Sequence, residues 1–149
     1  MKQILAFILF SALFCWLMFS PMYRHVVILR QALLQKEVDY MLEIGANASH
    51  GYISEHMVQQ SRARLAERGF DPTRLTYHIR SLSGATATDP NHPLIRGDGL
   101  LLEIRYPYER LFVLDRLLGI SAPDETDTMG ARGLRMSEYV PSMPLPEHP

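Results

Sequence analysis

The chain has 149 residues, enough for one modest domain beyond any anchor segment. Its formal net charge of −1 excludes the electrostatic footprint of a nucleic-acid-binding protein. The single cysteine, Cys15, excludes an intramolecular disulfide framework and a cysteine-based metal knuckle.

The first element is an apolar run from Ile4 to Phe19, with no charge between Lys2 and Arg24. A helix of about 20 residues, roughly 30 Å long, fits in that window and matches the hydrocarbon core of a bilayer. Its ten Ile, Leu and Phe residues contribute roughly −3 to −6 kcal/mol toward insertion, an upper figure because per-residue values apply at the helix centre. The competing reading is a buried core helix. A helix apolar on every side needs a large protein around it, and the rest of this chain is too short to enclose it. Residues 1–23 are therefore expected to form a transmembrane anchor, with Ile4, Leu5, Phe7, Leu9, Phe10, Leu13, Phe14, Trp16, Leu17 and Phe19 meeting lipid. Signal peptidase wants small residues just before its cut, and bulky Met18 together with Pro21 after Ser20 argue against one. Cys15 follows Leu13 and Phe14, where a lipoprotein signal would need a small side chain. The segment is expected to stay uncleaved.

Pro21 removes one helical hydrogen bond and crowds the carbonyl of Leu17, so a kink is expected there rather than a stop. Helical spacing resumes at once. Val26, Leu29, Leu33, Tyr40 and Ile44 form one stripe, and Val27, Leu34, Val38, Met41 and Ala48 a neighbouring one. Arg24, Arg30, Lys36, Glu37, Asp39 and Glu43 fall mostly on the other side. Residues 24–50 thus read as an amphipathic stalk continuing the anchor.

Residues 51–140 read as a small α+β head. Ser54 can cap a second helix running to Arg68, with Gly69 as its stop and Arg62, Arg64, Glu67 and Arg68 as its solvated face. Leu75, Tyr77 and Ile79 alternate inward on a first strand, and Leu102, Ile104 and Tyr106 on a second. The long loop between them closes in a turn at Gly97–Gly99. Glu109 to Leu118 has helical spacing, and Ser121 to Gly130 reads as acidic loop. A third strand over Ala131–Tyr139 is expected to turn Leu134 and Met136 inward. Three strands under helices make a viable antiparallel sheet. Residues 141–149, with Pro141, Pro144, Pro146 and Pro149, read as a disordered tail.

Catalysis finds no foothold in the motifs. The six histidines lack zinc-binding spacing, there is no Gly-x-Ser-x-Gly elbow, and Gly97-Asp98-Gly99 lacks the lysine of a phosphate loop. Asn47-Ala-Ser49 matches a glycosylation acceptor, a pattern that arises by chance. No enzymatic activity, metal, cofactor or small-molecule substrate is expected.

A charged start, a lipid-length helix running into a stalk, and a small head is the architecture of type IV pilins and pseudopilins. Arg64-Leu-Ala-Glu-Arg-Gly69, the strand at Tyr77, the run Gly97-Asp-Gly-Leu-Leu-Leu-Glu-Ile-Arg-Tyr-Pro-Tyr108 and Gly133-Leu-Arg-Met-Ser-Glu138 resemble TadE-type pseudopilins of tight-adherence pilus systems, and related small pilus-assembly proteins. The resemblance implies a bacterial single-pass membrane protein with its head outside, taking part in building or priming a pilus or secretion filament. Its implied partners are the bilayer, other pilin-like subunits and platform proteins of the assembly machinery. The likeness does not extend to prepilin processing, since the first acidic residue is Glu37 and the first glycine Gly45. Val27, Leu34, Val38 and Met41 are the residues expected to pack against other subunits, the alternative being that they belong to the head's own core. Two rival classes remain: an exported binding domain whose apolar start is a signal peptide, and a membrane-tethered hydrolase, for which no polar cleft is evident in the residues.

Overall fold

A computed structural model describes residues 2–108 and 127–141. The α+β reading holds. Helix α1 (Lys2–Gly45) is followed by α2 (Glu55–Glu67), a 3-10 turn at Pro72–Arg74, and strands β1 (Thr76–Ser81), β2 (Gly99–Pro107) and β3 (Thr128–Met136). The three strands form one antiparallel sheet in the order β1-β2-β3. The helical reading of Glu109–Leu118 and most of the tail lie outside the described residues.

Local chemistry accounts for each boundary. Ser54 caps α2, its hydroxyl oxygen accepting from the Met57 amide at 3.3 Å. At the other end the amides of Gly69 and Phe70 donate to the carbonyls of Ala66 and Leu65, a Schellman closure. It requires Gly69 at φ +85°, and it folds Phe70 back beside buried Leu65. Leu100, Leu102, Ile104 and Tyr106 of β2 are wholly buried, with Met129 and Ala131 of β3 and Leu75 beside them. Against this face lie Leu34, Val38, Met41 and Leu42 of α1, then Ile53, Val58 and Leu65. Each fully buried Leu or Ile contributes about 1.5–3 kcal/mol over leaving it in water.

The third strand departs from expectation. It begins at Thr128, inside the stretch read as acidic loop, and ends at Met136, three residues before the expected end. It also turns the other face inward: Met129 and Ala131 are buried, whereas Leu134 is 49% and Met136 51% exposed. The reason lies at Gly133, which pairs with Leu102 where α1 crosses the sheet. A Cβ there would stand 2.6 Å from Leu42 Cδ1 and 3.1 Å from Val38 Cγ1, so the helix approaches over small residues and the large ones face outward.

The long connection between β1 and β2 is tied down rather than loose. Ile53 N–H donates to the Ala87 carbonyl at 2.9 Å, and Leu94 N–H to the Gly51 carbonyl at 2.8 Å. Ser137 Oγ donates to the Leu94 carbonyl at 2.6 Å, and Glu138 N–H to the Ala46 carbonyl at 2.8 Å. Together these seal the end of the head farthest from the apolar run.

Candidate membrane anchor and stalk–head junction

Helix α1 spans 44 residues, which at 1.5 Å per residue is about 66 Å. None of the described residues of its first half is buried. Phe7 is 74% exposed, Leu5 68%, Phe10 69%, and even Trp16 is 41% exposed. Ile4, Leu9, Leu13, Phe14, Leu17 and Phe19 are likewise exposed. The most apolar 18-residue window of α1 has none of its residues buried in the protein, so the soluble-core reading is excluded for this segment. One helix of the described chain is long and apolar enough to cross a membrane, and it lies at the N-terminus. The helix runs on through Pro21 without a stop.

Burial begins on the stalk. Val26 and Val27 are half-buried, and Leu34 is the first fully buried residue. Leu34, Val38 and Met41, three of the four residues expected to meet other subunits, are 0–1% exposed and belong to the head's own core. That corrects their assignment. Among the described residues, the layer packed on the sheet is the stalk, which lies against both β2 and β3. Among the described residues, the large apolar side chains that α1 leaves outside between the membrane-length run and the core are Met22, Ile28 and Leu29, at 62, 64 and 53% exposure.

An ion pair locks this junction. Glu37, expected on the solvated side, is 2% exposed and accepts from Arg64 Nη2 at 2.6 Å and Nε at 3.0 Å. The Arg64 guanidinium also lies 4.8 Å from the Tyr40 ring centroid. The bond to Glu37 holds the Arg64 pKa above its already high value, against the opposing effect of partial burial. One turn of α2 away, the Ser61 and Tyr77 hydroxyls bond at 2.9 Å, and burial pushes the Tyr77 phenol up. The sequence did carry a signal for Glu37. It stands at the i+3 position from Leu34, beside Val38 and ahead of Met41, on the buried arc of the helix.

Ser83 bonds Asp98, and His92 Nδ1 lies 2.8 Å from Asp89, two pairs that share no residue. The His50 ring stands 5.8 Å from that of Tyr52. Among the described residues there is no group of three or more His, Cys, Asp or Glu placed to hold a metal ion.

Compared with known protein families, with curated proteins and with solved structures, the chain matches none.

Proposed function

We propose that this chain is a single-pass membrane protein that takes part, without catalysis, in assembling or priming a pilus-like or secretion filament. The observation that carries this reading is the division of α1: an unburied, bilayer-length half continues without a break into a half that forms the core of a small α+β head. Such a helix couples a membrane position rigidly to a folded module, as an assembly subunit requires. The TadE-like resemblance supplies the filament context and the outward head. Partnering then falls to the exposed apolar residues Met22, Ile28 and Leu29, at the level where neighbouring helices would meet.

A second reading has its own observation. The buried core starts at Leu34, so cutting after Ser20 would leave the head complete. The chain would then be an exported binding domain. One experiment tests the partnering reading directly. Ile28→Asp with Leu29→Asp, both exposed, is expected to leave head stability within about 0.5 kcal/mol and to abolish co-purification with pilus-assembly partners in cells. Unchanged co-purification would remove this face from the mechanism.

A further inference from the structure

The outer edge of β3 presents main-chain groups whose identity follows from the phase of the ladder. Ser137 N–H donates to the Asp98 carbonyl at 2.7 Å, and Tyr108 N–H to the Asp127 carbonyl at 3.1 Å. These bonds flank the β2–β3 ladder at its two ends, so Met129, Ala131, Gly133 and Arg135 turn their main-chain groups toward β2. The amides and carbonyls of Gly130, Arg132, Leu134 and Met136 therefore face away from the sheet. Among the described residues, the side chain that reaches this edge is Gln35, whose Nε2 donates to the Arg132 carbonyl at 3.5 Å. Strand β3 runs nine residues without a proline, so each outward amide is a donor.

The side chains at the same positions set the chemistry of what could pair there. Leu134 and Met136 stand half-exposed on the outer face, and Leu134 meets exposed Leu82 over Gly99. A strand added beside β3 would extend this apolar row. Arg132 precedes the two on the same face, and β3 itself carries no acid. Glu103, which faces Arg132 from β2, is bonded by Arg105 at 2.7 Å. On the inner face Asp39 Oδ1 lies 3.9 Å from where a Gly133 Cβ would stand. Side chains directly opposite one another dominate strand pairing, so a carboxylate suits the outer position facing Arg132 and not the inner one facing Gly133.

Two nearer occupants fit this edge poorly. Residues 142–149 include Pro144, Pro146 and Pro149, which have no amide to donate. A second copy would meet the edge with the same cations. Strand β3 also runs in the direction of α1, because Arg132 lies by Gln35, Gly133 by Val38 and Leu42, and Glu138 by Ala46. Antiparallel pairing of two copies would therefore point their apolar runs in opposite directions, out of reach of one bilayer, a step that rests on the anchor reading.

We infer that residues 132–136 of β3 accept an antiparallel strand from a partner protein, with a carboxylate opposite Arg132 and apolar side chains opposite Leu134 and Met136. The outward main-chain groups supply the ladder, and the alternate side chains supply the choice of partner. This surface is separate from Met22, Ile28 and Leu29, so either can fail without the other.

The test uses the isotope-labelled full chain in detergent micelles and a capped probe peptide, Thr-Val-Thr-Val-Thr-Glu-Thr, read by amide hydrogen exchange. Without peptide, the Leu134 and Met136 amides are expected to exchange about tenfold or more faster than those of Gly133 and Arg135, which face β2. Peptide at about 10 mM is expected to slow Leu134 and Met136 about tenfold, the protection that a Kd of about 1 mM gives. An analogue N-methylated at both valines lacks the amides that would face β3 and should give no slowing. Lysine in place of the glutamate should weaken binding about fivefold, and Arg132→Gln should erase that preference. Exchange in β2 is the control for folding of the variant. Slow exchange at Leu134 and Met136 in the free chain at every dilution would mean that the chain's own residues fill the edge. Slowing that grows with chain concentration would assign a second copy. Either result overturns the inference. So does a parent peptide that gives no slowing, an N-methylated or lysine peptide that protects as well as the parent, or a preference for glutamate that survives in Arg132→Gln.

Discussion

Glu37 and Arg64 show how one residue can carry the connection between two elements. A buried carboxylate is tolerable only while its partner is present, so removing one side costs more than removing both. Arg64→Met is expected to destabilise the head by about 2–4 kcal/mol, below the range for wholly buried pairs because Arg64 is partly exposed. Glu37→Met/Arg64→Met should recover most of that loss in urea unfolding of the detergent-solubilised chain. A double variant as unstable as the single one would deny the pair its linking role. Titration adds a second expectation. The carboxyls of Asp71, Asp89 and Glu103 lie below the usual carboxylate range, held there by Thr73, His92 and Arg105 respectively. Their folded values are depressed, so their stabilisation is present above about pH 4 and is lost as pH falls through the lower native values. Tyr77 works in the opposite sense. Burial raises its folded value, so its contribution is full below about pH 10 and disappears as pH rises beyond that. Absorbance titration at alkaline pH should therefore lose a late-ionising phenol in Tyr77→Phe, and Asp71→Asn should flatten the acid limb of the melting curve.

At the scale of elements, the crossing of α1 over β3 decides which sequence signals could be read. Strands β1 and β2 declared their faces because large apolar residues alternate with polar ones along them, from Leu75 to Ile79 and from Leu102 to Tyr106. In β3 the same rule pointed the wrong way. Its buried positions are Met129 and Ala131, followed by half-buried Gly133 where the helix comes close, while Leu134 and Met136 look outward. Alternation records size and polarity, not the clearance that a crossing helix demands. Glu37 misled for a related reason: charge was read as exposure, although its partner comes from another helix twenty-seven residues on. The anchor was legible because a long apolar helix needs no tertiary information to be recognised. Filling the crossing tests this packing. Gly133→Val is expected to cost about 1–3 kcal/mol through overpacking against Leu42 and Val38, measured as a lower thermal midpoint. A neutral outcome would mean that α1 does not press on the sheet at that point.

For the whole molecule, one helix performs two tasks separated along its length. None of the described residues of its first half is buried, and its second half contributes to the core of the head. The fold is consequently a small α+β module borne on a rod, with its membrane-near and far ends defined by the direction of α1. The apolar start anchors the head only if the mature protein keeps it. The most direct measurement is intact mass and N-terminal sequencing of the native protein, recovered from membranes washed with alkaline carbonate. Retention of Ile4–Phe19 in a chain that stays with the membrane pellet is the expected result. A mature chain that starts beyond Ser20 and appears in the soluble fraction would contradict the anchor and leave the exported domain in its place.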